Sequence, residues 1–433
     1  MEMNDLILVS VDDHNVEPPD AFIRHFPERL RDKAPKIIKK GDKDVWFFEG
    51  KIYPTVGTNA VVGRPRSEYG FEPDAFDQMR KGCYDAKARV DDMNVNGMLG
   101  SLNFPTFPNF AGMTFLGVED KAMATHAVRA YNDWHIYDWC GAGPGRFIPM
   151  VILPLWNMEE TLAELKRASD LGVHAITFPD NPALLGLPSI HADYWKPMWK
   201  ALNDYKMVIN CHIGTGARAA HASDDTPIAA WITTMPMSIS NSAADWVYAP
   251  IWKEYPELKM ALSEGGIGWI PYFLERADFT HEHHGEWTHF DFGDGRKPSD
   301  IFKKHIITCF IDDQVGLENL RFMNEDMVTW ECDYPHSDTL WPNAPDYLWP
   351  SAKTLPRETV DKITHLNAMK LYSYDPFSIL GRENCTVGAL REAGKDVDVS
   401  PREHLGGMKT ESMDKKEVVT SGQINRMFAS AED

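Results

Sequence analysis

Short apolar segments with the composition of β-strands recur along this chain, and segments with helical spacing separate them. Such regular alternation predicts a parallel sheet. The turn after the first strand holds Asp12, Asp13 and His14 instead of the glycine-rich phosphate-binding turn of open doubly wound sheets. The sequence therefore predicts an α/β fold, a closed (β/α)8 TIM barrel. The predicted strands span residues 6–11, 97–102, 147–153, 174–178, 207–211, 258–263, 304–310 and 328–332.

Two segments depart from this alternation. Residues 15–90 are irregular and rich in proline, glycine and aromatic residues, and we interpret them as an insertion after the first strand, with short strands at 45–48 and 51–54. Residues 376–433 are charged and poorly periodic, which indicates a C-terminal extension beyond a barrel domain of residues 1–375. This extension is either a disordered tail or an arm that wraps a neighbouring subunit, and the sequence does not separate the two.

Charge and cysteine usage narrow the choice of partners and compartment. The formal net charge of −20 has the same sign as nucleic acid and anionic membranes, so neither is expected as a partner. No run approaches the roughly 20 apolar residues of a membrane span, and the acidic N-terminus does not resemble a signal peptide. The six cysteines are scattered without a C-x-x-C pair, which is typical of free thiols in a reducing cytoplasm. We therefore expect a cytoplasmic protein that binds a small molecule.

Polar residues stand at the carboxyl ends of the predicted strands, where barrel enzymes place their chemistry. In an extended segment residues i and i+2 point to the same side, so Asp12 and His14 can both face the barrel axis. Two imidazoles and two carboxylates converging on one mouth suit a divalent cation. Taken singly, each residue also has a structural interpretation, such as a hydrogen-bonded histidine or an aspartate that caps a helix. The strand-end residues are Asp12, His14, His212, Glu264, Asp333 and the nearby His336.

Other residues are weaker candidates. The helical stretch 276–289 holds four histidines, first interpreted as a solvated surface, although His283 is a candidate to reach the barrel mouth as a catalytic group. His336 either assists catalysis or only orients Asp333. Phe104 and Trp341 are candidates to line a pocket for a ring-bearing substrate, unless the aromatic residues here only form the insertion's own core. Three arginines are candidates to neutralise a substrate carboxylate, unless they lie on the surface: Arg64, Arg66 and Arg218.

The segments SVDDHNVEPPD, VINCHIGTG, LSEGGIGWIPYFLERAD, ECDYPHSD and THLNAMKLY resemble successive signatures of the amidohydrolase-2 family, which includes aminocarboxymuconate-semialdehyde decarboxylase and benzoate-type decarboxylases. The resemblance covers roughly residues 6 to 375. It implies a homodimeric TIM barrel with one divalent metal, held by Asp12 and His14 in an acidic-x-His motif together with His212 and Asp333. Two carboxylates among four ligands make manganese a rival to zinc.

One position departs from the family pattern. Decarboxylating relatives usually carry a histidine at the end of the sixth strand, where this chain has Glu264. Glu264 is a candidate general acid or base, but it could equally bind a substrate hydroxyl or cap the following helix. In hydrolysis either Glu264 or Asp333 is a candidate to deprotonate the water. The resemblance thus implies a metal-dependent hydrolase or decarboxylase, cleaving a C–C or C–N bond of a small carboxylated aromatic or cyclic carbonyl compound. The alternative is a non-catalytic barrel retained as a binding or scaffold subunit.

Overall fold

Eight parallel strands form a closed ring in the computed structural model, which describes residues 2–216 and 219–432. The first strand pairs with the second and with the eighth, the second pairs with the third, and from the fourth to the eighth each strand pairs with the next. Val151 closes the ring, because its N–H donates to the Ala175 carbonyl (3.1 Å) and its own carbonyl accepts from Thr177 N–H (3.0 Å). The predicted TIM barrel is confirmed. Its strands are β1 (Val9–His14), β5 (Gly100–Phe104), β6 (Phe147–Ile148), β7 (Ala175–Thr177), β8 (Val208–His212), β9 (Lys259–Ser263), β10 (Ile306–Phe310) and β11 (Val328–Trp330).

Strand bounds differ from the predicted ones where the polar residues lie. β1 continues through Asp12 to His14, because Asp13 and His14 pair with Asn103 and Phe104 of β5. β11 ends at Trp330, and Asp333 has a left-handed backbone conformation with φ 55°. The chemistry-bearing residues of the first strand therefore lie within a paired strand, whereas those of the eighth lie in the loop that follows it.

Helices surround the barrel and often begin at a side-chain cap. The Asp85 carboxylate accepts from the backbone N–H of Lys87 and Ala88, and Asn157 caps the N–H of Glu159 and Glu160 in the same way. No helix within residues 2–216 and 219–432 is long and apolar enough to cross a membrane. The helices are α1 (Ala21–His25), α2 (Ala86–Asn96), α3 (Met113–Leu116), α4 (Lys121–Asp133), α5 (Met158–Asp170), α6 (Lys196–Asp204), α7 (Ile228–Thr234), α8 (Ile239–Val247), α9 (Ile251–Glu254), α10 (Ile270–Thr288), α11 (Pro298–His305), α12 (Gln314–Glu318), α13 (Ala344–Ala352), α14 (Arg357–Asp361), α15 (Asn367–Leu371), α16 (Phe377–Leu380), α17 (Val387–Ala393), α18 (Glu411–Lys415) and α19 (Ser421–Glu432).

The insertion contains an antiparallel meander of β2 (Lys36–Lys40), β3 (Lys43–Phe48) and β4 (Lys51–Tyr53). The last two match the short strands predicted there. β2 was not predicted, because its sequence KIIKK is mostly charged and only partly buried. Aromatic residues join the meander to the barrel, with Trp46 stacked on Phe107 at 4.4 Å between ring centroids. Trp46 and Phe48 of the insertion thus belong to the same hydrophobic core as Phe107 and Phe115 of the barrel domain, so the insertion does not form a separate aromatic core.

The C-terminal segment folds back on its own chain. The backbone N–H of Met408 donates to the Glu72 carbonyl (2.7 Å), and that of Arg402 donates to the Gly63 carbonyl (2.8 Å). Helix α17 packs on α2. In its described part the extension is therefore an ordered arm that packs on the insertion and, near Ser421, on the segment that leads into α7. Its contact with a neighbouring subunit stays a prediction.

Candidate metal centre

Six polar side chains converge inside the carboxyl end of the barrel, and all six are buried. His212 Nε2 lies 3.0 Å from Glu264 Oε2 and 3.7 Å from Asp12 Oδ2. His14 Nε2 lies 3.6 Å from Asp12 Oδ1 and 3.4 Å from Asp333 Oδ1. The structure thus brings together the strand-end residues that the sequence predicts: Asp12, His14, His212, Glu264, Asp333 and His336.

The backbone at two of these residues is strained. Glu264 has φ 60° and Asp333 has φ 55°, in the left-handed region that non-glycine residues rarely occupy. Such conformations cost about 1 kcal/mol or more and cluster at functional sites. Here they turn two carboxylates, at the ends of β9 and β11, towards His212 and His14. Hydrogen bonds hold them, because Asp333 N–H donates to the Asp12 carbonyl (2.8 Å) and Glu264 N–H donates to the Glu331 carboxylate (3.2 Å).

Several buried ligand atoms of this cluster have no hydrogen-bond partner among the described residues. They are both carboxylate oxygens of Asp12, Oδ2 of Asp333 and both ring nitrogens of His14. Burying such groups unpaired is costly. His212 Nδ1 lies 2.7 Å from the Ile213 carbonyl, to which it donates when Nε2 is the ligand atom. One ligand atom from each of Asp12, His14 and His212 lies within 4.8 Å of the other two, and the same holds for one atom from each of His14, Asp333 and His336. This donor set fits one divalent cation of the zinc or manganese class.

The electrostatics of the cluster also favour a cation. Burial raises the pKa of Asp12 and Asp333 well above the ordinary aspartate value, and neighbouring carboxylates raise both further. Burial lowers the pKa of His14 well below its usual range, so this imidazole is neutral and free to bind a metal. Burial alone would lower the pKa of His212, but Asp12 and Glu264 raise it to about 9. Burial alone would raise the pKa of Glu264, but His212 holds it below its usual value.

Two residues of the site were missed by sequence reasoning. Glu331 is buried behind the cluster, where its carboxylate accepts from the Cys309 thiol at 2.6 Å and from Glu264 N–H. It stands two residues before Asp333, so the i, i+2 rule that paired Asp12 with His14 could have found it. Phe110 lies against His14 and His212, with ring centroids 4.6 Å and 4.3 Å away. Only the aromatic composition of the loop after β5 hinted at Phe110.

Of the predicted pocket residues, Phe104 reaches the cluster and Trp341 does not. Phe104 lies 5.8 Å from His14 and 5.1 Å from His212 between ring centroids. Trp341 is buried elsewhere, because its indole N–H donates to the Asp92 carbonyl (2.9 Å) and the Arg80 guanidinium covers its ring.

The predicted histidine and arginine candidates that the structure describes do not contribute to the cluster. His283 is exposed on α10 and stacks on Phe279 at 3.8 Å, so the structure does not bring it to the cluster. The Arg64 guanidinium binds the backbone carbonyls of Phe71, Gly406 and Gln78, and Arg66 is exposed. Arg218 lies outside the described residues.

Comparison with known proteins adds the family. The amidohydrolase family model matches residues 25–373, and no curated protein matches the chain. An amidohydrolase from Mycobacterium avium subsp. paratuberculosis K-10 superposes with a TM-score of 0.64 at 17% identity, over 85% of this chain and 99% of that one. A manganese-bound 5-carboxyvanillate decarboxylase from Novosphingobium aromaticivorans superposes with a TM-score of 0.59 at 16% identity, over 86% and 98%. For 2,6-dihydroxybenzoate decarboxylase from Rhizobium the TM-score is 0.54 at 15% identity, over 84% and 98%. At these identities the superpositions establish the fold.

Proposed function

Because the chain belongs to the amidohydrolase family, we propose that it is a metal-dependent hydrolase or decarboxylase acting on a small carboxylated aromatic or cyclic carbonyl compound. The observation that carries the proposal is the group of buried ligand atoms without hydrogen-bond partners at the barrel mouth. The folds similar to this one include decarboxylases of carboxylated aromatic compounds, which supports the same substrate class.

In this proposal Asp12, His14, His212 and Asp333 hold one divalent cation. When bound, such a cation supplies Lewis-acid chemistry at a substrate oxygen. His336 Nδ1 lies 2.8 Å from Asp333 Oδ1 and keeps that carboxylate in place. Two carboxylates among the four ligands favour manganese over zinc, and a similar fold holds manganese.

Glu264 is the proposed proton-transfer residue. Its carboxylate is buried, and next to His212 its lowered pKa keeps it ionised. An ionised carboxylate can accept a proton from an attacking water in hydrolysis. In decarboxylation the same group, once protonated, can deliver the proton to the ring carbon as CO2 leaves. Phe104 would lie beside the substrate ring.

The assembly and location are part of the proposal. We propose a cytoplasmic homodimer, with residues 1–375 as the catalytic domain and residues 376–433 as an extension that contributes to assembly. The six cysteines are all free, as a reducing compartment would leave them. Sedimentation at several protein concentrations tests the dimer.

Metal analysis followed by turnover tests the activity. Purified protein is expected to bind about one equivalent of manganese or zinc per chain. The loaded protein is then screened against 2,6-dihydroxybenzoate, 5-carboxyvanillate and cyclic diketones, with mass detection of CO2 loss or water addition. Less than about a tenth of an equivalent, with no gain after manganese or zinc is added, would contradict the proposal and favour the non-catalytic barrel.

A further inference from the structure

The C-terminal extension contacts the loops that follow two opposite strands of the barrel. β8 is the fourth strand from β1 in either direction, through β5, β6 and β7 or through β11, β10 and β9. Residues 402–408 bond to the insertion after β1, and residues 419–422 bond to the segment between β8 and α7. One short stretch of chain thus joins two loops at the carboxyl end of the barrel, where the candidate metal centre lies. We call residues 402–422 the C-terminal strap and these two loops the mouth loops.

The first anchor of the strap lies on the insertion. Met408 N–H donates to the Glu72 carbonyl (2.7 Å), and Glu72 N–H donates back to the Met408 carbonyl (2.9 Å). Gly407 permits this pairing, because its φ of 119° is readily adopted only by glycine and a Cβ there would lie 2.6 Å from the Glu72 carbonyl oxygen. The Arg64 guanidinium also donates to the Gly406 carbonyl at 2.9 Å. A side chain in place of Gly407 should therefore detach the strap from the insertion.

The insertion connects this anchor to the loop after β11. The Glu72 side chain accepts from Asn59 N–H at 3.1 Å, so the anchored residue also holds a turn near the barrel mouth. The Asn59 side-chain amide donates to the Ser337 hydroxyl (3.2 Å), and Val62 N–H donates to the Pro335 carbonyl (3.0 Å). These contacts hold the loop after β11, which carries one of the proposed metal ligands, against the insertion.

The second anchor lies on the segment before α7. Ser421 N–H donates to the Thr226 carbonyl (2.9 Å), and Ile228 N–H donates to the Val419 carbonyl (2.9 Å). Ser421 is fully buried, whereas α7 itself contains no buried residue. A short helix without buried side chains gains little stability from packing, so the strap supplies much of what holds this segment in place. The segment follows β8, whose last residue is the proposed ligand His212.

We infer that the C-terminal strap positions the two mouth loops as one unit, and that substrate binding requires both of its anchors. The C-terminal extension then belongs to the active site of its own chain, whatever its part in assembly. The effect on substrate rests on the proposed function. The coupling between the two anchors is a property of the fold, so it can be measured without metal or substrate.

Hydrogen exchange on the full-length, metal-free protein tests the coupling. Gly407→Ala breaks the first anchor, and we expect amide exchange to become about tenfold faster or more at residues 224–234, beside the second anchor. Gly50→Ala is the matched control, because Gly50 has φ 77° in an exposed turn of the same insertion and a Cβ there would contact nothing within 4 Å. Unchanged exchange at residues 224–234 in a folded Gly407→Ala protein would overturn the inference.

A variant at the second anchor tests the coupling in the opposite direction. At Gly422 a Cβ would lie 2.8 Å from the Asp224 side chain, so Gly422→Val should detach this end of the strap. We expect exchange to become about threefold faster or more at residues 57–64, beside the first anchor. Gly285→Ala on α10, where a Cβ meets no atom closer than 3.6 Å, should leave that exchange unchanged. Faster exchange only at the anchor that each variant breaks would mean two independent contacts and would overturn the inference.

Turnover separates this inference from the proposed function. In manganese-loaded protein both strap variants are expected to raise KM about tenfold for the compound that is turned over fastest in the screen, because loosened mouth loops must be ordered again when substrate binds. Metal content should be retained and kcat should change by less than about threefold. An unchanged KM in both variants would overturn the inference and leave the metal proposal intact. Protein that takes up neither manganese nor zinc would overturn the proposed function, whereas the exchange experiment would still decide whether the strap couples the mouth loops.

Discussion

Asp12 and Asp13 are adjacent, fully buried carboxylates whose surroundings differ completely. Asp13 accepts hydrogen bonds from the Ser101 hydroxyl, the Ser10 hydroxyl (3.0 Å) and Tyr334 N–H (3.1 Å), and it lies 4.0 Å from the Arg89 guanidinium. The Asp12 oxygens have no hydrogen-bond partner among the described residues. Burial raises both pKa values, but these partners limit that of Asp13 to about 6, whereas that of Asp12 is raised further.

This contrast separates two uses of a buried polar group. The Asp13 network ties β1 to the segment after β11 and to Arg89, so its value is structural. The Asp12 cluster leaves its polar atoms unpaired, which costs stability in the free protein and prepares the site for a ligand. Substitutions in the Asp12 cluster should therefore reduce mainly the bound metal, whereas substitutions in the Asp13 network should reduce mainly the folding stability.

The largest effect is expected from a ligand of the metal cluster. His212→Ala should abolish stoichiometric metal binding and lower turnover by about 10³-fold or more, because it removes one of four proposed ligands. Circular dichroism should still show a folded barrel without metal, but the melting temperature should fall, because the variant loses the contacts of His212 with the Ile213 carbonyl and the Glu264 carboxylate. Metal analysis measures the bound metal, and circular dichroism measures the melting temperature. Wild-type metal content in this variant would refute the assignment of His212.

Asp13→Ala should show the opposite pattern. Removing this carboxylate leaves the Arg89 guanidinium buried without its ionic partner, so the free energy of unfolding is expected to fall by about 3–5 kcal/mol. Asp12→Ala is the matched control, and its metal-free unfolding free energy should hardly change or should rise. Urea unfolding of both variants without metal measures the difference. Equal losses would remove the distinction between the two clusters.

The metal cluster around Asp12 could be predicted from the sequence more fully than the hydrogen-bond network around Asp13. Apolar strand segments and strand-end polar residues predicted the barrel and the convergence of Asp12, His14, His212 and Asp333, because both follow from local periodicity. The partner of Asp13 could not be predicted, since Arg89 reaches it only after the insertion has folded against the barrel. The same holds for Trp341, which meets Asp92 in the folded chain instead of the site.

Glu264→Gln should lower turnover by about 10²-fold, with metal content retained. The substitution keeps the size of the side chain but removes its ability to accept a proton, and Glu264 is a proposed proton-transfer residue rather than a metal ligand. Steady-state turnover together with metal analysis checks this. An unchanged rate would leave Glu264 with a positioning role only.

The apparent affinity for metal should depend on pH. The pKa of His212 is about 9, so below this value a proton occupies the imidazole and must leave before the metal binds. The dissociation constant is therefore expected to rise about tenfold or more for each unit that the pH falls between about 8.5 and 6.5. Glu264→Gln should flatten this dependence, because it removes one of the two carboxylates that raise the pKa of His212. Affinity that does not vary with pH in calorimetric titrations would contradict the prediction.

The smallest effect is expected at His283, a histidine that belongs to neither buried cluster. Its ring is exposed, it stacks on Phe279, and its Nδ1 lies 3.1 Å from the carbonyl of that residue one helical turn earlier. Water can hydrogen-bond to its other ring nitrogen, so His283 has no buried, unpartnered nitrogen that would favour binding a ligand. His283→Ala should therefore change turnover, metal content and ligand affinity by less than about twofold. A tenfold loss of turnover or metal content would show that an exposed histidine contributes to this site. Burial without a hydrogen-bond partner would then no longer identify the metal ligands.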